Sequence, residues 1–134
     1  MGDPNDPIQV YTIGLPGPSG LPMLWQGATP ITPAQSPYQA KVLQPVPVDC
    51  RMGTVIVMLP ALTDASTTVV AIKDLYGASA TNNITVQPVA GLGTQVEIPA
   101  ALGTFASTTV IASNGALVWY VGMASINAWV IWVR

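Results

Sequence analysis

The chain has 134 residues, half of them apolar and only 7% charged, with no histidine, one cysteine and a formal net charge of −2. That length suits one domain, and the charged fraction lies far below the roughly 25% of ordinary soluble domains. The composition excludes a basic footprint for nucleic acid and a polybasic attraction to anionic membranes. It also leaves few charges to cover a monomer, so copies of the chain or a partner are expected to cover part of it. The alternative is a monomer solubilised by its Thr, Ser, Asn and Gln side chains.

The first segment is extended. Ten of the thirteen prolines fall within residues 1–47, and proline supports neither a long helix nor a central strand. A polyproline-rich arm is predicted there. Its apolar residues are Ile8, Val10, Tyr11, Ile13, Leu15, Leu21, Met23, Leu24, Trp25 and Tyr38. They are expected to anchor the arm on another protein, because prolines reduce the entropy lost on docking. Folding back onto its own domain or a sister subunit is the other possibility. Within the arm, Gly14–Pro22 holds three collagen-like triplets. They point weakly to three chains side by side and otherwise reflect chance in a Pro/Gly-rich stretch. The opening Met1–Asp6 is acidic and lacks the apolar centre of a secretory leader.

Residues 48–134 are predicted to form an all-β module, a compact antiparallel sandwich or barrel. Thr54–Leu59 is a strand with two apolar faces, ended by Pro60. Val69–Asp74 and Asn83–Gln87 alternate with a period of two and are expected to pair as neighbours. Thr94–Ile98 follows, then a small-residue loop at Ala100–Ser107 with Phe105 as a plug. Asn114-Gly115 predicts a type I′ hairpin whose second strand is Ala116–Val121. Ala128–Val133 is the last strand. No charge occurs between Glu97 and Arg134, so subunit contacts are expected through Ile56, Met58, Val118, Tyr120, Trp129, Val130 and Trp132. No run reaches the roughly 18 apolar residues of a membrane helix.

Catalytic chemistry has little to stand on. Without histidine, the Ser-His and Cys-His arrangements and the usual zinc sites are missing, and Cys50 alone holds no metal. Asp49, Asp64, Asp74 and Glu97 are the carboxylates in or beside the module. A glycosidase needs two of them across a groove, whereas turn capping suits Asp64 and Asp74. No catalytic residue, cofactor or metal is assigned.

Taken together, Thr54–Leu59 with Pro60, Val70-Ala71-Ile72-Lys73-Asp74 with Gly77, Asn83-Ile84-Thr85-Val86, Asn114-Gly115 and Trp119-Tyr120 form an ordered series. The series resembles a small trimeric β-module of tailed-bacteriophage virion appendages: head fibres, capsid decoration proteins and tail fibres. The resemblance covers roughly residues 52–122, and Ala128–Arg134 extends beyond it. It implies a homotrimer on the virion surface, made in the host cytoplasm. In that role the arm would bind the major capsid protein. The alternative is a tail-fibre or spike module whose aromatics bind host glycans.

Overall fold

The computed structural model describes residues 28–62 and 68–133. These form two β-sheets packed face to face. The strands are β1 (Tyr38–Gln39), β2 (Gln44–Val48), β3 (Val55–Leu59), β4 (Thr68–Asp74) and β5 (Ile84–Pro88), then β6 (Gln95–Ile98), β7 (Ala101–Ala106), β8 (Thr109–Ile111), β9 (Leu117–Met123) and β10 (Ala128–Val133). The only described helices are two 3₁₀ turns, Pro33–Gln35 and Ala124–Ile126. The first is capped by the Thr32 side chain and the second ends at Asn127 in the left-handed region.

The larger sheet has the order β2-β4-β9-β10-β6-β7 and the smaller β1-β3-β5-β8. From β1 to β5 the chain alternates between sheets at every strand. Each strand therefore lies parallel to the one two places on: β1 beside β3, β2 beside β4, β3 beside β5. Parallel neighbours need a crossover connection, and here a strand of the opposite sheet provides it. The all-β expectation holds, but both sheets are mixed rather than purely antiparallel. For the same reason β4 and β5 do not pair with each other. They carry the two adjacent alternating stretches, yet they sit in opposite sheets.

The core lies between the sheets. It takes Val46 and Val48 from β2, Val70 and Ile72 from β4, Val118 and Tyr120 from β9 and Trp129 from β10. Facing them are Val55, Val57 and Leu59 of β3, Ile84 and Val86 of β5 and Ile111 of β8. Alternate residues of each strand point inward, as the pleat requires.

Two further expectations are corrected. The segment Ser113–Ala116 closes with Ala116 N–H donating to the Ser113 carbonyl at 3.1 Å. Of its two central residues only Gly115 has positive φ, as in a type II turn; a type I′ turn needs both. The turn joins β8 of the small sheet to β9 of the large one, so no hairpin forms. Ala100–Ser107 is mostly strand β7, paired antiparallel with β6 and bulged around Gly103. Phe105 there is only half-buried.

The boundary expected at residue 47 falls inside β2. Ile31 and Ala40 belong to the core, Ile31 bridges Val48 in parallel, and Tyr38 packs against the core with its hydroxyl accepting from Gln44 Nε2 at 2.6 Å. Residues 31–47 are therefore part of the module. Pro45 and Pro47 are tolerated because β2 is flanked by a strand on one side and only the Ile31 bridge on the other.

Candidate functional site

The densest polar constellation sits at one end of the sandwich, around Asp74. Alternation along β4 points Val70, Ile72 and Asp74 inward, and Asp74 is fully buried. A carboxylate is accommodated there because three backbone N–H groups converge on it. Oδ2 accepts from Gly115 at 2.9 Å and Ser79 at 3.0 Å, and Oδ1 from Ala78 at 3.2 Å. The thiol of buried Cys50 also contacts Oδ1 at 3.8 Å. Burial alone would raise the Asp74 pKa. The N–H donors of Gly115, Ser79 and Ala78 outweigh it and hold the carboxyl below its usual range. Burial, followed by the charge of Asp74, pushes the Cys50 thiol up.

Neighbouring bonds extend this knot. Ser79 Oγ donates to the Ser113 carbonyl at 2.8 Å, Lys73 Nζ to the Gly115 carbonyl at 2.6 Å, and Asn82 Nδ2 to the Cys50 carbonyl at 2.9 Å. Three loops, 49–53, 75–83 and 113–116, are thereby fixed to one another. On their outer side Arg51 pairs with Asp49 at 2.9 Å and lies 3.7 Å over the Tyr76 ring. The Arg51 hydrogen bond holds Asp49 below its usual carboxylate range.

Glu97 forms a second polar clasp. The parallel pairing of β6 with β10 ends after Trp129. Beyond it the Glu97 carboxylate takes over, accepting from Ile131 N–H at 2.8 Å through Oε1 and from Gly103 N–H at 2.7 Å through Oε2. It thus sews β10, β6 and the β7 bulge together. In the core nearby, Tyr120 Oη and Trp129 Nε1 have no hydrogen-bond partner among the described residues. Burial, with a smaller push from Glu97, raises the Tyr120 hydroxyl above its ordinary pKa.

The expected subunit-contact residues divide sharply. Val118, Tyr120 and Trp129 are 0–1% exposed and fill the chain's own core between the sheets. The doubly apolar pattern left two covers open, a second sheet or another subunit, and for these three residues the chain's own second sheet provides the cover. Ile56 and Met58 are half-buried on the outer face of the small sheet, as is Val130 on that of the large sheet. Trp132, on the same outer face as Val130, is 60% exposed. The arm residues Ile8, Val10, Tyr11, Ile13, Leu15, Leu21, Met23, Leu24 and Trp25 lie outside the described residues, as does Asp64.

A second apolar cluster was not anticipated residue by residue. Val69 and Ala71 of β4 and Trp119 of β9 pack together on the outer face of the large sheet, with Leu117 and Val121 beside them. The available signal was the doubly apolar character of Ala116–Val121.

No family model matches this sequence, and no curated protein matches it. The chemistry is therefore read from the geometry. Among the described residues no group of three His, Cys, Asp or Glu side chains converges as metal ligands. Asp49 is occupied by Arg51, Asp74 by three N–H groups and Glu97 by two. An open cleft of about 580 Å³ lies along β2, lined by Ala28, Thr29, Ile31, Tyr38, Pro45 and Pro47. A second of about 410 Å³ lies between Pro99-Ala100 and Val110–Ser113. Neither is lined by a carboxylate. What the molecule offers is apolar surface on a stiffly knotted scaffold.

Proposed function

We propose that the chain is a structural virion protein, a capsid decoration or head-fibre protein. In this reading the arm, residues 1 to about 30 now that Ile31 belongs to the module, binds the major capsid protein of the phage head, and the β-module assembles as a homotrimer. The supporting observation is the outer face of β10. There the exposed indole of Trp132 stands beside half-buried Val130 in a region without a single charge between Glu97 and Arg134. An exposed tryptophan in such a patch suits an interface centre. The role is binding, not turnover.

The sheet edges favour association through faces. Pro45 and Pro47 interrupt β2, β1 and β8 are two and three residues long, and β7 is bulged at Gly103. Each is a device that discourages edge-to-edge pairing.

Light scattering of the purified chain tests the assembly: a trimer is expected, and a stable monomer at micromolar concentration overturns it. Removing residues 2–27 is expected to abolish capsid attachment while the module stays folded. Heads still decorated by that truncation would refute the arm's role. A tail-fibre or spike module binding host glycans is the second reading, favoured by the exposed rings of Trp132 and Tyr76. Glycan-array binding lost on Trp132→Ala would select it.

A further inference from the structure

We infer that Asn114 is the chain's site of spontaneous deamidation and that the buried Asp74 carboxylate holds it unreactive. The sequence Asn-Gly occurs once in the chain, at Asn114-Gly115. In such a pair the glycine backbone nitrogen gives up its proton and attacks the asparagine side-chain carbon Cγ. The new N–Cγ bond closes a five-membered succinimide, and the side-chain nitrogen takes up a proton and leaves as ammonia. Water then opens the ring to aspartate or to isoaspartate, whose main chain runs through the side-chain carbons. Glycine suits the reaction because it has no Cβ to hinder the approach. Asn114 is exposed at its turn and Gly115 is half-buried. The other described asparagines, Asn82, Asn83 and Asn127, precede Asn83, Ile84 and Ala128, which carry the Cβ that glycine lacks.

Both partners of that attack are restrained. The nucleophile is Gly115 N, whose N–H donates to Asp74 Oδ2 at 2.9 Å. Ser79 and Ala78 N–H also donate to this carboxylate, so it keeps its charge in a fully buried position. Taking the proton from Gly115 would break a charge-assisted hydrogen bond. It would also set an amide anion against a carboxylate, and a like charge disfavours the ionised nitrogen. Burial removes the water that would screen the repulsion. The electrophile is tethered to another loop. Asn114 Oδ1 accepts from Ala80 N–H at 2.8 Å, and Asn114 Cβ lies against the same loop at Gly77. An N–H on that oxygen would favour attack if the nitrogen could come to Cγ. The turn is fixed against such a movement: Ser79 Oγ donates to the Ser113 carbonyl at 2.8 Å and Lys73 Nζ to the Gly115 carbonyl at 2.6 Å.

Failure of this protection would be irreversible. Isoaspartate adds one atom to the main chain between positions 114 and 115, so the Gly115 N–H could not return to Asp74 with the rest of the turn in place. A brief opening of the loops would then become permanent. Asp74 thereby guards the covalent integrity of the turn between β8 and β9, a task distinct from its share of folding stability. This role does not rest on the virion reading.

The test uses the full chain in mildly alkaline buffer, with deamidation assigned to each asparagine by fragment-ion mass spectrometry. Asn114 in the folded wild type is expected to react at least about tenfold more slowly than in the urea-unfolded chain, the factor that a hydrogen bond to a charged group is worth. Asp74→Asn, shown to be folded by its cooperative unfolding, is expected to lose most of that protection. Glu97→Ala, which loosens the module away from this turn, is expected to keep it. Equal Asn114 rates in folded and unfolded wild type, or in wild type and folded Asp74→Asn, overturn the inference. A second measurement needs no variant. At urea concentrations below the unfolding transition, amide exchange at Gly115 and deamidation at Asn114 are expected to rise by the same factor, because both wait for the N–H to leave Asp74. Exchange that rises while deamidation stays constant contradicts the role.

Discussion

The backbone N–H of Gly115 donates to the Asp74 carboxylate at 2.9 Å across 41 positions of sequence. That one bond ties the end of β4 to the turn by which the chain leaves the small sheet for the large one. Ser79 and Ala78 donate to the same carboxylate, so a single side chain organises the loops at this end. Replacing it leaves three N–H groups without their acceptor in a buried site. Asp74→Ala is expected to lower stability by at least about 3 kcal/mol, measured by urea unfolding, with Cys50 becoming reactive to thiol reagents as the loops loosen.

The same carboxylate sets a pH dependence. Its folded pKa lies below the ordinary value, and an unfolded aspartate titrates near about 3.9. The unfolded chain therefore binds the proton first as pH falls. The Asp74 contribution is fully present above the unfolded pKa and is lost as pH drops through the folded one. Urea midpoints are expected to be flat with respect to this group from neutrality to about pH 5 and to decline in more acid solution. Asp74→Asn is expected to start from lower stability and show a shallower acid decline. An equally steep decline in that variant would mean another group carries it.

Glu97 performs a comparable task where β6 and β10 part. Glu97→Ala leaves the N–H groups of Ile131 and Gly103 unanswered, at an expected cost of about 2–4 kcal/mol. Glu97→Gln keeps one acceptor and sets an amide donor against the other N–H, so it is expected to fall between wild type and alanine. Amide hydrogen exchange at Ile131 and Gly103 should rise in both variants and most in alanine.

Gly122 is needed for space rather than for backbone freedom. A Cβ there would overlap Thr68 Oγ1 and the Leu62 side chain, where β9 pairs with β4 at Gly122–Thr68. Gly122→Ala is expected to cost about 1–3 kcal/mol through overpacking. Pairing it with Thr68→Ala and Leu62→Ala should recover part of that loss, because the substitution then fills the space it vacates. Thermal unfolding of the single and combined variants measures both effects.

These sites show how much was legible in the sequence. The strands expected at Thr54–Leu59, Val69–Asp74, Thr94–Ile98 and Ala128–Val133 appear at Val55–Leu59, Thr68–Asp74, Gln95–Ile98 and Ala128–Val133. Alternation reported correctly that Val70 and Ile72 share a buried face. It carries no information about which sheet a strand joins, so β4 and β5 looked like neighbours. Asn114-Gly115 is a local turn signal, whereas the bonds that fix it come from Asp74 at the end of β4 and Ala80 in the loop that follows. β7 was invisible because Ala101, Gly103 and Ala106 have weak strand propensity and gain their conformation by pairing with β6. Glu97 and Asp74 looked like ordinary polar positions, since nothing local reveals that distant N–H groups converge on them.

In the proposed trimer, two tryptophans three residues apart are expected to separate folding from assembly. Trp129 is fully enclosed between the sheets, and Trp132 is 60% exposed on the opposite face of the same strand. Trp129→Ala removes a large core side chain and is expected to cost about 3–5 kcal/mol. Its defect should appear as a lowered unfolding midpoint at every protein concentration. Trp132→Ala removes surface, so the isolated fold should change by no more than about 0.5 kcal/mol. Its effect should appear only in association, as a shift toward monomer in sedimentation velocity that higher protein concentration reverses. If Trp132→Ala sediments like wild type across the micromolar range, the subunit contact does not pass through the outer face of β10, and the half-buried outer face of Ile56 and Met58 on β3 becomes the surface to substitute next.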